Sequence, residues 1–63
     1  MQTLNSFLLD INNDVRCDSP PDDPIAEEAD EAGLVKPVGY SPDGWIWWKL
    51  THRGFEYVKS NLL

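Results

Sequence analysis

The sequence predicts a small α+β fold with the element order helix, helix, strand, strand, helix. Apolar residues recur with helical spacing in residues 3–14 and again in residues 52–61, which favours an amphipathic helix near each end. Between residues 34 and 51 the apolar period changes to two on both sides of the tetrapeptide Ser-Pro-Asp-Gly, which indicates a β-hairpin. A chain of 63 residues has room for one domain, so we expect a single domain over residues 1–63.

Two helices are expected before the hairpin. The first, at about residues 3–14, has one apolar stripe formed by Leu4, Phe7, Leu8, Ile11 and Val15. Residues 16–23 combine acids with two adjacent prolines, so we expect an acidic loop there. Asp23 precedes a proline, and this pair is a typical helix start because the carboxylate accepts hydrogen bonds from free amides. The second helix, at about residues 24–32, should end at Gly33, which suits a left-handed cap.

The hairpin, at about residues 34–51, is predicted to bury one of its two faces. A type I turn at Ser-Pro-Asp-Gly would put Gly44 in a left-handed conformation. This register assigns to the core face Leu34, Val38, Tyr40, Ile46, Trp48 and Leu50. It assigns to the outer face Val35, Pro37, Gly39, Trp45, Trp47 and Lys49. Thr51 is placed to cap the last helix, at about residues 52–61, and Gly54 in its first turn indicates close approach to another segment.

The predicted core draws on every one of these elements. Its members are Phe7, Leu8, Ile11, Leu34, Ile46, Trp48, Leu50, Phe55 and Val58. The second helix is expected to add only a narrow face of Ile25, Ala29 and Ala32, with Ala26 beside them. With a single cysteine, Cys17, and a single histidine, His52, we expect neither a disulfide nor a structural zinc site, so aromatic packing must supply the stability.

No catalytic residues, metal site or cofactor are expected. Cys17 and His52 are a nucleophile and a base by type, but acids around the cysteine raise a thiol pKa and no orienting group is evident. The acids of residues 18–31 lack the alternating oxygen ligands and the central glycine of an EF-hand. We therefore expect a protein that is not an enzyme and that works by binding another macromolecule.

The amino-terminal sequence bears on location. It has no basic leader and no uninterrupted apolar stretch, and an acid already stands at Asp10, so we expect neither a signal peptide nor a membrane span. A lone cysteine suits a reducing compartment. The expected location is the cytosol.

The net charge of −6 is unevenly distributed along the chain. Residues 1–33 carry nine acids against Arg16 alone, whereas residues 34–63 carry four basic residues against two acids. The candidate partner-binding acids are Asp22, Asp23, Glu27, Glu28, Asp30 and Glu31. Carboxylates at i and i+4 of a helix are about 6 Å apart, comparable to phosphate spacing, so such a surface can imitate a nucleic-acid backbone towards a protein with a basic surface. The alternative is a solvated helix face that only keeps a small protein soluble.

Two tryptophans are candidates for a second binding surface. Trp45 and Trp47 alternate with apolar residues along one strand, and a two-stranded hairpin cannot bury both of its faces. They are therefore expected to form an aromatic patch that anchors a protein interface, or to meet their copies in a homodimer. Alternatively, Trp47 covers Gly39 and Pro37 and fills a gap in the structure.

One segment resembles the carboxy-terminal half of a winged-helix domain. The match is EEADEAGLVKPVGYSPDGWIWWKLTHRGFEYV, about residues 27–58, or half of the chain. In that family a recognition helix runs into Gly-Leu and a branched residue, here Gly33-Leu34-Val35. A wing hairpin then ends in Leu-Thr with a glycine three residues on, here Leu50-Thr51 and Gly54. The resemblance implies a small winged-helix-like domain.

The chain departs from that family where DNA would be read. The helix that would lie in the major groove carries four acids and no basic residue, so direct nucleic-acid binding through it is disfavoured. The alternative is a winged-helix DNA-binding accessory or transcription factor that contacts DNA through the wing, with the cations Lys36, Lys49, Arg53 and Lys59. By size and charge the chain also resembles small phage-encoded inhibitors, including anti-CRISPR proteins. We therefore predict an inhibitor that blocks the nucleic-acid-binding surface of its partner, which is either a protein with a basic surface or a nucleic-acid-binding complex.

Overall fold

Three helices and a three-stranded antiparallel sheet make up the fold in the computed structural model, which describes residues 3–63. Residues 1 and 2 of the expected domain lie outside this range. The elements are, in chain order, α1 (Leu4–Asn12), β1 (Asp18–Ser19), α2 (Pro24–Glu31), β2 (Val35–Tyr40), β3 (Ile46–Leu50) and α3 (His52–Asn61). The predicted α+β class and the order of the five long elements are confirmed.

Each helix begins at a side chain that accepts a hydrogen bond from the first turn. The hydroxyl of Thr3 accepts from the Ser6 amide at 3.1 Å, and the Asp23 carboxylate accepts from the Ile25 amide at 2.9 Å. The hydroxyl of Thr51 accepts from the Gly54 amide at 3.0 Å. The predictions for Asp23 and Thr51 are confirmed. Helix α1 is shorter than predicted, because the chain turns after it and Asp14 adopts a left-handed φ of 57°.

A short strand in the expected acidic loop corrects the prediction for residues 16–23. Strand β1 pairs antiparallel with β3, Asp18 opposite Trp47 and Ser19 opposite Ile46, so the sheet has the order β1-β3-β2. The Trp48 indole donates to the Ser19 hydroxyl at 2.8 Å, which satisfies both polar groups inside the core. A strand of two residues is too short to show a period, so its pairing partner decides its structure.

A bulge in β2 corrects the predicted hairpin faces. Near the turn the register is as predicted, with Tyr40 opposite Ile46 and Gly39 opposite Trp47. The register then shifts between Pro37 and Gly39, and Val38 is the extra residue. Val35 therefore lies opposite Leu50 and is buried, whereas the sequence predicts it on the outer face, and Pro37 lies opposite Trp48. Val38 and Tyr40, both expected in the core face, are 56% and 73% exposed.

The core lies between the three helices and one face of the sheet. It consists of Phe7, Leu8, Ile11, Ala26, Ala29, Leu34, Val35, Trp48 and Val58. Ile46 and Leu50 are half-buried at its edge, and Ala32, expected in the buried face of α2, is exposed. Phe55 was expected in the core but is 50% exposed. The reason is that Gly54 and Val58 are the buried line of α3, and Phe55 lies about 100° around the helix from Gly54.

The ends of α2 and β3 are joined by a small hydrogen-bonded cluster. Thr51 donates its hydroxyl to the Gly33 carbonyl, and its amide donates to the Leu34 carbonyl at 3.0 Å. Gly54 packs on the same peptide, where an added Cβ would lie 2.8 Å from the Leu34 carbonyl carbon. The close approach predicted for Gly54 is confirmed. Gly33 has a φ of 76°, as expected for a left-handed cap, and Gly44 in the turn has a φ of 86°.

Across residues 3–63, none of the helices combines the length and the apolar character that crossing a membrane requires.

Candidate functional site

The acids of α2 form one continuous exposed surface, which we call the acidic ridge and define as Glu27, Glu28, Asp30 and Glu31. All four residues are exposed, while Ala26 and Ala29 on the opposite side of α2 are buried against α1 and β2. At 100° per residue the four acids span an arc of about 160°. The small alanine face thus holds the helix against the domain and directs every ridge carboxylate into solvent.

The acidic ridge has no internal counterion in the part of the chain that the structure describes. The two ion pairs found there join Arg16 to Asp18 and His52 to Glu56, and neither involves α2. The last turn of α2 contains no basic residue that would offset the negative end of the helix dipole. Arg53 is the nearest cation identified, because its side chain lies beside Gly33 just beyond the helix. The field of the ridge therefore extends into solvent.

The two other acids proposed for partner binding differ from the ridge. Asp22 is exposed in the turn before α2 and extends the negative surface. Asp23 is half-buried, and one of its oxygens is engaged by the Ile25 amide. Asp23 therefore has a structural role as the N-cap of α2, and it leaves less of its charge available to a partner.

The solvent side of the sheet carries cations and aromatic rings. Lys36 lies directly opposite Lys49, and Trp47 on the same side of β3 lies opposite Gly39. At the turn end, the Arg16 guanidinium sits 5.4 Å from the centre of the Trp45 ring and 3.4 Å from an Asp18 oxygen. We call this surface the tryptophan face and define it as Arg16, Lys36, Trp45, Trp47 and Lys49.

The structure places the two candidate tryptophans differently. Trp47 is 43% exposed, in agreement with an available aromatic group. Trp45 is half-buried and forms one wall of a cleft of about 390 Å³, whose other walls include Asp10, Asp18 and Asp23. Arg16 also lines this cleft, so the molecule already supplies a cation between the ring and Asp18.

The four cations proposed as DNA contacts do not form one group. Lys36 and Lys49 lie together on the tryptophan face, and both are exposed. Arg53 lies at the end of α2, next to Gly33. Lys59 is in the last turn of α3, about 1.7 turns of helix away from Arg53. Only the Lys36 and Lys49 pair is brought together by the sheet.

A mostly apolar groove was missed by the sequence reasoning. It has a volume of about 450 Å³ and lies between the end of α1, the hairpin and α3. Ile11, Leu50, Val38 and Phe55 are among its apolar lining residues, and Asn12, Asp14 and Lys49 line it as well. Of these apolar residues Val38 and Phe55 are exposed, although the sequence predicts Val38 on the core face of the hairpin and Phe55 in the core. The one feature of the sequence that could have indicated this groove was Pro37. A proline within a strand often accompanies a bulge, and the bulge is what exposes Val38.

Cys17 and His52 each contact a different acid. The Cys17 thiol donates to an Asp14 oxygen at 3.6 Å, and His52 lies 4.0 Å from Glu56. Burial raises the pKa of the Cys17 thiol, and the hydrogen bond to Asp14 and the nearby acids raise it further. The thiol is thus held in its protonated, weakly nucleophilic form. Within residues 3–63, no cluster of three His, Cys, Asp or Glu side chains has the geometry to hold a metal ion.

Comparison of the chain with protein-family models, with curated proteins and with solved structures gives no match.

Proposed function

We propose that this protein is a non-enzymatic binding module whose acidic ridge occupies the basic, nucleic-acid-binding surface of a partner protein. The observation that carries the proposal is that all four ridge acids are exposed on one side of a packed helix, without a counterion among the described residues. Holding them there is costly, because like charges three and four residues apart repel. Binding to a basic partner surface would offset this repulsion with attraction between opposite charges.

The placement of α2 supports mimicry of nucleic acid rather than general acidity. The helix runs through Gly33 directly into the hairpin, and the Thr51 and Gly54 cluster fixes that junction. These are the residues that carry the resemblance to a winged-helix domain, in which the corresponding helix meets DNA. In this chain the same position presents carboxylates. The proposed role is therefore that of an inhibitor, of the kind that phages and other mobile elements encode against a host nucleic-acid-binding protein or complex.

The test uses a ridge-neutral variant that carries Glu27→Gln, Glu28→Gln, Asp30→Asn and Glu31→Gln. These changes keep the size of each side chain and remove the charge. Host proteins captured by the wild type at about 50 mM salt should be lost from the variant, and added duplex DNA should displace them from the wild type. Capture by the wild type should weaken towards about 300 mM salt, as the screening length falls below about 10 Å. For a purified partner, most of the lost affinity should appear in the association rate.

A matched control carries Asp43→Asn and Glu56→Gln, which remove acids away from α2. This control should capture the same proteins as the wild type. If the ridge-neutral variant also captured them unchanged at low salt, the ridge would be a solubilising face and the proposal would be wrong. Retention of the wild-type chain on plain duplex DNA would instead favour contact through the wing, and a dimer in sedimentation would favour self-association.

A further inference from the structure

The tryptophan face concentrates positive charge on an acidic protein. The chain has five lysines and arginines against eleven acids, and three of the five belong to this face: Lys36 and Lys49 lie opposite each other in the sheet, and Arg16 lies over the Trp45 ring. Several acids lie near its Arg16 and Trp45 end. Asp18 is opposite Trp47 and paired with Arg16. Asp10 and Asp23 share the cleft with Arg16 and Trp45, and Asp14 lines a hollow with Trp47. The cations of this face without a paired carboxylate among the described residues are Lys36 and Lys49, so their end of the face should attract anions.

The pairing of Lys36 with Lys49 is unfavourable for the isolated chain. Residues directly opposite each other in an antiparallel sheet have Cβ atoms about 5 Å apart, and like charges at such positions destabilise the sheet. Neither lysine has a carboxylate within 4.0 Å among the residues that the structure describes. An anion bound between the two ammonium groups would convert this repulsion into two attractive contacts.

Trp47 has an uncovered flank beside the two lysines. The residue opposite Trp47 on β2 is Gly39. A Cβ built on that glycine meets nothing within 4 Å, so the space beside the Trp47 ring is open on that side. On β3 itself, Lys49 lies two residues along on the same side, at a rise of about 6.6 Å. A base stacked on Trp47 and an anion held between Lys49 and Lys36 would therefore be about as far apart as the base and the phosphate of one nucleotide.

We infer that the tryptophan face binds single-stranded nucleic acid, with a base stacked on Trp47 and backbone phosphates at Lys36 and Lys49. Stacking on an aromatic side chain beside positive charge is the usual way in which proteins hold single strands without sequence preference. An acidic peptide would satisfy the lysines but would leave the Trp47 ring unused. A duplex offers no free base for stacking. The inference rests on residues outside α2, so it stands or fails independently of the proposed function.

The probe is a fluorescently labelled oligo(dT) of 12 nucleotides, titrated with the full chain at about 50 and 200 mM salt. The variant with Lys36→Gln and Lys49→Gln should bind at least about tenfold more weakly at the lower salt. The slope of log affinity against log salt should be less steep for this variant by about 1.4. Two phosphate contacts are lost, and each contact to a single strand contributes about 0.7 to the slope. Trp47→Ala should also weaken binding about tenfold, and Trp47→Phe should retain most of the affinity.

Lys59→Gln is the matched control, because it removes one cation that lies on α3 and not on the tryptophan face. It should leave oligo(dT) binding unchanged. The inference is wrong if the wild type does not bind oligo(dT) at about 50 mM salt, or if Lys59→Gln weakens binding as much as the paired lysine changes. Tighter binding to a duplex than to oligo(dT) would also overturn it. The inference would also be wrong if polyphosphate bound as tightly as oligo(dT) and Trp47→Ala bound oligo(dT) as tightly as the wild type. Both results together would show that charge alone accounts for the binding.

Discussion

At the scale of single residues, a contact between two turns explains why the chain needs glycine at position 54. The Thr51 side chain bonds the Gly33 carbonyl and caps α3 at the same time, and Gly54 packs against the Leu34 carbonyl. Any side chain at position 54 would collide with this backbone. Sequence reasoning found the glycine because glycine weakens a helix and is rarely placed in one without a packing reason.

Gly54→Ala should therefore destabilise the fold, although alanine is the better helix former by about 1 kcal/mol. The new Cβ would overlap the Leu34 carbonyl, and overpacking of this kind usually costs about 1–3 kcal/mol or more. We expect a net loss of about 2 kcal/mol in the free energy of unfolding, measured in urea. Gly39→Ala is the control, because its Cβ meets nothing within 4 Å, and it should change stability by less than about 0.5 kcal/mol. Equal effects of the two substitutions would contradict the packing argument.

At the scale of elements, the sequence predicted the helix caps and the turn, but it predicted strand pairing correctly only near the turn. Caps and turn glycines act within a few residues of themselves, which is why Asp23, Thr51 and Gly44 were placed correctly. The bulge at Val38 and the pairing of β1 depend on contacts between distant segments. Because side chains alternate along a strand, one extra residue moved Val35 into the core and Val38 out of it.

Trp48 is the side chain through which these strands are held together. It is 6% exposed, its indole donates to Ser19 in β1, and its amide donates to the Cys17 carbonyl at 2.7 Å. Trp48→Ala should cost about 3–5 kcal/mol, which is most of the stability of a domain this small. Trp47 is exposed and lies on the face of β3 opposite the core. Trp47→Ala should therefore cost less than about 1 kcal/mol.

Trp48→Phe separates the hydrogen bond from the packing. It should cost less than Trp48→Ala, yet it should leave the buried Ser19 hydroxyl without its indole donor. Adding Ser19→Ala should then cost less in the Trp48→Phe background than in the wild type, and urea unfolding of all four proteins measures the difference. Purely additive losses would show that the indole bond does not stabilise the attachment of β1.

At the scale of the whole molecule, the carboxylates of the acidic ridge and the paired lysines of the tryptophan face lie on different surfaces. The acidic ridge was predictable because four acids and two buried alanines follow one another within a single helix. The tryptophan face was predicted only in part, since Trp47 and Lys49 alternate within one strand. Its other members, Lys36 and Arg16, reach it through the bulged register and through β1, neither of which leaves a pattern in the sequence.

This separation predicts how the stability of the free protein responds to salt. With a net charge of −6 and an uncompensated ridge, the folded wild type contains more repulsion than attraction between its charges. Raising sodium chloride from about 10 to 100 mM shortens the screening length from about 30 to 10 Å and should therefore increase the free energy of unfolding. The ridge-neutral variant should be more stable than the wild type at low salt by roughly 1 kcal/mol, because it loses the like-charge pairs and the acids near the negative end of α2. Its stability should also rise less with salt.

The Asp43→Asn and Glu56→Gln control should respond to salt much as the wild type does. A ridge-neutral variant no more stable than the wild type, with the same response to salt, would mean that the folded chain compensates the ridge itself, and the repulsion that a basic partner is proposed to relieve would not exist.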